Sequence, residues 1–373
     1  MRPVLAVASS AVAALLAAQC IAQTQATGPS RTDLARLHAP LYRFNAWVPG
    51  NSSPGNKSED YFPMSVGGWL HQLRNGRARV VTKESNGKTP SVNQTRPLVR
   101  KIEIAKDAIH GVPARMAGDA PGDAPVYFHV HDEGKTIAKD GSGEERLVIQ
   151  YWLFYGQDAS RDRVSPVGFG PKLDLAGHVG DWEQTSLAVT VLRGQGGKFL
   201  RTEVRRAYYT AHGAPRSVER GDFQLEGGTH PVVYVAAGKH ASYPEPGWWQ
   251  DPNGYAPWIV HDEFFLGNGY AWRSWEKPLH VYDLDGAATL FVQNGFDWRS
   301  YAGTFGDDRD LTIPLLGKTF PTGQSPRAPK LQSSYGDLSK TAKPWRDEKR
   351  TAKGLHLGAS PVVSPVPLPK RLP

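Results

Sequence analysis

The sequence predicts an all-β fold, mainly an antiparallel β-sandwich with long loops and a few short helices. Several segments alternate polar and apolar residues or concentrate β-branched and aromatic residues, which is typical of strands. The 373 residues include 39 glycines and 30 prolines, which interrupt any long helical pattern. No repeat of fixed period is present, so a solenoid or propeller is not favoured. Sheets packed face to face are the architecture that fits these features.

Five segments carry the strand signal. Residues 147–155 are rich in β-branched and aromatic side chains and have no helix cap before them. Residues 126–131 alternate after a proline, and residues 231–236 follow a turn. The other two predicted strands cover residues 185–192 and 201–209. Short helices are expected at residues 34–37 and near residues 65–72.

The ends of the chain differ from its middle. Residues 1–26 combine a basic start, an apolar run and small residues, which indicates a cleaved signal peptide. Residues 27–322 are expected to form a single β-sandwich domain, and residues 323–373 a basic, Pro-rich, disordered tail. We therefore expect a secreted, periplasmic or cell-envelope protein without a transmembrane segment. Cleavage would remove Cys20, the only cysteine, so no disulfide is expected.

The net charge of +8 is concentrated near the carboxyl end. From residue 326 to residue 373 there are ten Lys or Arg residues against three Asp or Glu residues. The predicted domain is therefore close to neutral, which argues against nucleic acid as a partner. Oligomeric state does not follow from the sequence.

One acidic motif points to a divalent cation. In extended backbone, Asp181 and Glu183 project to one face and Trp182 to the other. Two carboxylates on one face repel each other unless a cation lies between them, and oxygen ligands suit Ca²⁺, Mg²⁺ or Mn²⁺. His178 can add a nitrogen ligand, and Asp174 an oxygen from the preceding loop. The alternative is an acidic surface edge with a histidine in its turn.

A second motif follows the predicted strand 231–236. Gly238 permits a sharp turn, after which His240 and Ser242 emerge at the sheet edge. His240 is the candidate catalytic residue, as a general base or acid, and it can equally serve as a ligand or hold a carboxylate in place. The alternative is a loop histidine packed against Tyr243. A triad built on Ser242 is not favoured, because no nucleophile elbow is present.

Three further patterns are weaker. His129 and His131 lie on one face of a predicted strand, a spacing that can bind a transition metal. Residues 261–263 form an acidic patch with a histidine, and solvated strand ends explain both patterns as well. The Trp248 and Trp249 pair can contact sugars or a membrane interface if exposed, or fill a core if buried.

The chain resembles the vacuolar protein sorting-associated protein 62 family. The matching motifs occur in the family's order at residues 59–66, 124–127, 150–155, 177–183 and 231–244. The family usually closes with a Gly-Arg-Trp-Gly-like element, in place of which this chain has residues 305–308. The family's name suggests a role in protein trafficking, which fits a leader peptide only in a luminal pathway.

The centre is also similar to the necrosis- and ethylene-inducing peptide-like cytolysins. Their heptapeptide Gly-His-Arg-His-Asp-Trp-Glu coincides with residues 177–183 at five positions, and Val179 and Gly180 replace Arg-His. In that family the corresponding His, Asp and Glu hold a divalent cation in a β-sandwich that contacts sphingolipid sugars. The resemblance implies the same role for His178, Asp181 and Glu183.

Three functions follow as expectations. The first is a secreted divalent-metal-binding protein that recognises an extracellular glycan, a lipid head group or a membrane surface. The second is a secreted metal-dependent hydrolase of an ester, phosphodiester or glycosidic bond, in which a cation activates water. The third is a trafficking factor. Whether the protein is an enzyme is left open by the sequence.

Overall fold

The computed structural model describes most of the chain between residues 28 and 345. The described residues are 28–44, 62–74, 78–84, 98–104, 122–158, 163–164, 173–174, 178–236, 238–250, 261–264, 270–277, 280–287, 291–293, 296–301, 304–306, 309–313, 318–323 and 326–345.

The described residues are dominated by strands, which confirms the all-β prediction. The described residues include two α-helices, α1 (Arg31–Leu37) and α2 (Val66–Arg74). The strands are β1 (Leu41–Phe44), β2 (Ala78–Glu84), β3 (Leu98–Ile104), β4 (Val126–Ile137), β5 (Gly143–Asp158), β6 (Arg163–Val164), β7 (Leu173–Asp174), β8 (His178–Arg193), β9 (Phe199–Ala211), β10 (Ala214–Glu219), β11 (Leu225–Glu226), β12 (His230–Val235), β13 (Ser242–Tyr243), β14 (Gly247–Gln250), β15 (His261–Phe264), β16 (Tyr270–Arg273), β17 (Val281–Asp283), β18 (Val292–Gln293), β19 (Phe296–Asp297), β20 (Arg309–Ile313), β21 (Lys318–Gly323) and β22 (Lys343–Pro344).

A seven-stranded sheet forms the body of the fold. Its strand order is β17-β4-β5-β8-β9-β10-β22. The central strands β4, β5, β8 and β9 pair antiparallel, whereas β17 and β22 add parallel strands at the two edges. The five strands predicted from sequence correspond to β4, β5, β8, β9 and β12, and most extend beyond the predicted bounds.

A second sheet packs against one face of the first. It contains β11, β12, β1 and β16, with β13 pairing β12. Tyr42, Val233 and Trp272 of this sheet share a core with Ile149 and Leu187 of the seven-stranded sheet. Alternation along both sets of strands places these side chains between the sheets, which is the arrangement of a sandwich.

Both predicted short helices are present. Helix α1 begins after Ser30, whose hydroxyl accepts from the Asp33 amide while the Asp33 carboxylate accepts from the Ser30 amide, a capping box. Buried Tyr151 of β5 donates to the carbonyl of Ala35 at 2.8 Å, which ties α1 to the sheet. Neither described helix is long and apolar enough to cross a membrane.

Part of the opposite face of the seven-stranded sheet is covered by residues 326–345, which we call the strap and which include the edge strand β22. The rest of that face packs against α2 and against Leu284, Phe291 and Trp298. The sequence predicted disorder from residue 323, and this prediction does not hold for the strap. Its Leu338 packs with Val148, Ala188 and Tyr208 of the sheet. A few apolar anchors therefore order a segment whose overall composition is polar and Pro-rich.

Hydrogen bonds from a buried glutamine also fix the strap. The Gln150 side chain donates to the carbonyls of Ser334 and Gly336 at 2.9 and 3.0 Å, and its oxygen accepts from the Gly336 amide at 3.0 Å. Gln184 donates to the same Ser334 carbonyl at 3.2 Å. Buried polar groups satisfied in this way favour one position of the strap over others.

His38 supplies a pH-dependent part of the stability. Its Nδ1 donates to the Thr229 carbonyl at 3.1 Å, and its Nε2 lies 3.0 Å from the Thr202 hydroxyl, which can donate to it. Burial, the largest cause, lowers the pKa of His38 from 6.5 to about 4, although the bond to Thr229 acts in the other direction.

We predict that wild-type protein loses stability between pH 6.5 and pH 4 through His38. The unfolded chain binds the proton first as the pH falls, so this loss amounts to about 3 kcal/mol and stops below the folded pKa. The His38→Gln variant lacks this titration. The difference in free energy of unfolding by which it falls short of the wild type should therefore be about 3 kcal/mol smaller at pH 4 than at pH 7. Denaturant titrations at several pH values measure both; parallel stability curves would contradict the assignment.

Candidate functional site

The first residues of β8 place two carboxylates on the face of the sheet that borders the main core. Across the ladder, Asp181 is opposite Tyr155, and Glu183 is opposite Leu153. Both partners belong to the core between the two sheets. Trp182 packs on the other face, in a separate aromatic cluster. The alternation expected from the sequence is therefore confirmed.

A glycine shapes the chain just before these carboxylates. Gly180 has φ +69°, a conformation that L side chains rarely adopt, and a Cβ there would lie 2.4 Å from the Phe305 carbonyl oxygen. His178 donates from Nδ1 to the Gly180 carbonyl at 2.8 Å. The positive φ at Gly180 and this hydrogen bond together set the position of the His178 ring at the start of β8.

The loop after β12 brings a second histidine to the same end of the sheet. The His240 amide donates to the Ala236 carbonyl at 2.9 Å, and the Ala236 amide donates to the Ala241 carbonyl at 2.9 Å. Gly238 and His240 both have positive φ, +72° and +60°. A left-handed conformation at a non-glycine residue costs about 1–2 kcal/mol, so the surrounding contacts hold His240 in a strained position.

The His240 ring is fixed on both its face and its edge. It stacks on the Tyr155 ring with centroids 3.8 Å apart and planes 3° apart. Its Nδ1 lies 3.0 Å from Oδ2 of Asp181, and the side chain is fully buried. This arrangement orients Asp181. Direct attack on a substrate by His240 would require the loop to move.

Asp158, the last residue of β5, is a site residue that the sequence did not reveal. It pairs with His178 in the β5–β8 ladder, and its Oδ2 lies 3.3 Å from Nε2 of His178. Its Oδ1 lies 3.5 Å from Nζ of Lys239, and both side chains are almost completely buried. Only the register of two strands distant in sequence places Asp158 here, so no local motif could have indicated it.

Two other residues at the site were also not predicted. Lys239 lies in the same motif as His240, but the sequence did not indicate a role for its ammonium group. His212 occupies the turn between β9 and β10 with φ +50°, and its charge acts on Asp181. A His-Gly pair between two strands is a usable signal for such a turn, since both residues tolerate positive φ.

The two neighbouring aspartates have shifted pKa values of opposite sign. Burial raises the pKa of Asp158, and Lys239 and His178 offset this only in part. Burial also raises the pKa of Asp181, but the hydrogen bond from His240 and the nearby imidazoles outweigh it, so its pKa is lowered overall. A protonated Asp158 can donate to Nε2 of His178, whereas Asp181 stays ionised.

Four of the five predicted site residues therefore meet at one end of the main core. They are His178, Asp181, Glu183 and His240, which are buried or nearly so. The fifth, Asp174, lies in β7, which pairs with β6, and its side chain is outside the described part of the chain.

We name the assembled residues the β8 cluster. Its members are Asp158, His178, Asp181, Glu183, Lys239 and His240. Three carboxylates and one ammonium leave a formal charge of −2 when both imidazoles are neutral. A divalent cation fits this donor set in kind and in charge.

The geometry of the β8 cluster is not a finished cation cage. Over the described residues, no group of three or more His, Cys, Asp or Glu side chains is arranged to hold a metal. The imidazoles of His178 and His240 instead contact Asp158 and Asp181. Coordination would need small carboxylate rotations, water, or a ligand such as Asp174.

The weaker sequence patterns have different outcomes. His129 and His131 lie on β4, opposite Gln150 and Val148 of β5. The side chains of residues 261–263 and of Trp248 and Trp249 lie outside the described part, so those predictions stay predictions. Ser242 is buried in β13.

We predict that Gly180→Ala destabilises the protein by about 2–4 kcal/mol, because it adds a clash with Phe305 to the cost of positive φ. Gly213→Ala is the matched control, since Gly213 has φ +74° but open space around it. The control should cost only about 1 kcal/mol. Denaturant unfolding compares the two variants, and equal losses would show that the close approach at Gly180 is unimportant.

Comparison with known proteins supports part of the resemblance stated from the motifs. A solved structure titled "Crystal structure of non-toxic HaNLP3 protein" is similar at 13% sequence identity, with a TM-score of 0.25. The similarity covers 56% of this chain and 65% of that chain. So low a TM-score carries no argument about fold or function. None of the curated proteins matches the chain.

The family model described as vacuolar protein sorting-associated protein 62 matches residues 129–255. That range holds β5, β8 and the loop after β12, and so all six members of the β8 cluster. Over residues 129–255, the chain therefore matches the vacuolar protein sorting-associated protein 62 family.

Proposed function

We propose that the chain is a secreted protein that binds a divalent cation at the β8 cluster. Through that cation it recognises an extracellular glycan, a lipid head group or a membrane surface. The observation that carries the proposal is the burial of three carboxylates, Asp158, Asp181 and Glu183, beside a single ammonium group from Lys239.

Charge balance supports a cation at this place. Burying an uncompensated carboxylate is costly, and neighbouring carboxylates oppose each other's ionisation. The raised pKa of Asp158 reflects that cost, whereas burial at Asp181 is outweighed by the hydrogen bond from His240 and the nearby imidazoles, which lower the pKa of Asp181. Two added positive charges would compensate the formal charge of −2 and allow all three carboxylates to ionise. Ca²⁺, Mg²⁺ and Mn²⁺ are the ions that favour such oxygen donors.

Individual residues have separate parts in the proposal. Asp181 and Glu183 supply carboxylate oxygens from one face of β8, and His178 supplies a nitrogen. His240 is a positioning residue, because its Nδ1 holds Asp181 at 3.0 Å while Tyr155 fixes its ring. A bound cation with free coordination positions would accept hydroxyl or phosphate oxygens from a glycan or lipid head group.

The extracellular setting rests on the leader pattern in residues 1–26, which lie outside the described part of the chain. Export would expose the site to the Ca²⁺ and Mg²⁺ of that environment. The basic residues after residue 345 would add attraction to anionic lipids or wall polymers. Secretion and partner class are parts of the same proposal.

A metal-dependent hydrolase is the second candidate. The observation that favours it is the hydrogen-bonded pair of Asp181 and His240, a carboxylate–imidazole arrangement that enzymes use for proton transfer. The complete burial of His240 weighs against it. Turnover of ester or phosphodiester substrates that disappears in His240→Gln would favour this function.

We predict that the wild-type chain binds Ca²⁺, Mg²⁺ or Mn²⁺ stoichiometrically in calorimetric titration, and that Asp181→Asn combined with Glu183→Gln abolishes binding. A ligand at about 100 times its Kd stabilises the folded state by about 2.7 kcal/mol. Saturating cation should therefore raise the unfolding temperature of the wild type but not that of the double variant.

The control is a double variant with Asp132→Asn and Glu203→Gln, which removes two exposed carboxylates away from the cluster. It should bind the cation like the wild type. Binding to vesicles and glycans is then compared with and without chelator. A folded wild type that binds none of the three ions would contradict the proposal, as would equal binding by both double variants.

A further inference from the structure

A pair of histidines on β4 lies on the strap side of the seven-stranded sheet, away from the β8 cluster. His129 and His131 are two residues apart and so project to the same face. Across the ladder they are opposite Gln150 and Val148, both of which contact the strap. Their ring centroids are 6.5 Å apart.

The His129 ring is held in one orientation by two contacts. Its Nδ1 lies 2.5 Å from Oδ2 of Asp285, and its face stacks on the Tyr335 ring at 4.1 Å with planes 22° apart. Asp285 is itself anchored through Oδ1, which accepts from the Tyr335 hydroxyl at 3.2 Å and lies 3.1 Å from Nζ of Lys330. Tyr335 and Lys330 of the strap thus hold the Asp285 carboxylate in place, and this carboxylate in turn orients the His129 imidazole.

This arrangement determines which ring nitrogen of His129 can bind a metal. The hydrogen bond from His129, the largest cause, holds the pKa of Asp285 well below its usual range. An ionised Asp285 keeps the proton of the neutral ring on Nδ1, so the lone pair is on Nε2. Within the described residues, no hydrogen bond is made at Nε2. A histidine whose other ring nitrogen donates to a carboxylate is the usual form of a metal ligand.

His131 can provide the second nitrogen. A chelate with bonds of about 2.0–2.1 Å to two imidazoles brings their centroids to about 5 Å. The observed 6.5 Å therefore requires a side-chain rotation that closes the pair by about 1.5 Å. The strap passes His131 with Gly336, which has no side chain to place against the ring; an added Cβ would be in ordinary van der Waals contact with Nδ1 of His131 at 3.9 Å.

We propose that His129 and His131 bind a borderline divalent transition-metal ion, of the class of Zn²⁺, Ni²⁺ or Cu²⁺. Asp285 is the positioning residue that orients His129. The site is separate from the β8 cluster and does not depend on the function proposed for that cluster.

The donor set determines which ions bind. Imidazole nitrogen suits Zn²⁺, Ni²⁺ and Cu²⁺, whereas Ca²⁺ and Mg²⁺ require oxygen ligands. With two imidazole nitrogens from the protein, water would complete the coordination of the ion. A two-histidine site of this kind exchanges its ion readily and leaves positions open to an added ligand.

The test uses the chain without a polyhistidine tag. Calorimetric titration with Zn²⁺ and Ni²⁺ is made in the Asp181→Asn, Glu183→Gln background, so that the β8 cluster does not contribute. It should show one ion per chain, lost when His131→Gln is added and weakened about 10–100-fold when Asp285→Asn is added, the range for removal of a residue that orients a metal-bound histidine. With Cu²⁺, the electron paramagnetic resonance spectrum should show coupling to two imidazole nitrogens in that background. His131→Gln should reduce this to one.

One control separates this site from the β8 cluster. The Asp181→Asn, Glu183→Gln variant should retain the Zn²⁺ ion at His129 and His131. Thermal unfolding checks that each variant is folded. No Zn²⁺ or Ni²⁺ binding by the wild type would overturn the proposal. Binding unchanged when His131→Gln is added to the Asp181→Asn, Glu183→Gln variant, or lost in that variant alone, would overturn it equally.

Discussion

The pairing of β5 with β8 is the constraint on which the rest of the structure depends. The two strands run antiparallel without a register shift from Gly143 opposite Arg193 to Asp158 opposite His178. A slip of one residue would exchange the faces of every side chain on one strand. It would move Asp181 away from His240 and Trp182 into the core between the sheets. The hydrophobic pattern and the positions of the charged residues are therefore satisfied by the same register.

The two faces of this ladder contact different parts of the structure. One face contributes to the core between the sheets, and at its end the hydrophobic packing gives way to the β8 cluster. The rigid core supports that cluster, since Tyr155 belongs to the core and also stacks on His240. The other face carries polar residues such as Gln150, which order the strap. On neighbouring β4 the same face of the sheet carries His129, which the strap in turn orients. Each site thus obtains its geometry from residues far apart in sequence.

Local sequence patterns predicted the strands and helices that depend on residues close together in the chain. Alternation identified the main strands, and the residues near α1 and α2 were recognised as short helices. The placement of Asp181 and Glu183 opposite Trp182 follows from strand geometry alone. Asp158 was not predictable, because only its pairing with His178 brings it to the site. The strap was assigned to disorder because its composition is polar and Pro-rich; a few anchors, among them Leu338, outweigh that composition once a sheet face is available.

The central claim is that the buried negative charge beside Asp181 is a cation site. A crystal of the protein soaked in Mn²⁺ tests it most directly through anomalous scattering. The account predicts an anomalous peak within about 2.0–2.6 Å of carboxylate oxygens of Asp181 and Glu183, the distance range for oxygen ligands of such ions. A well-ordered site with no peak there, Asp181 still bonded to His240, and Mn²⁺ bound elsewhere would contradict the account.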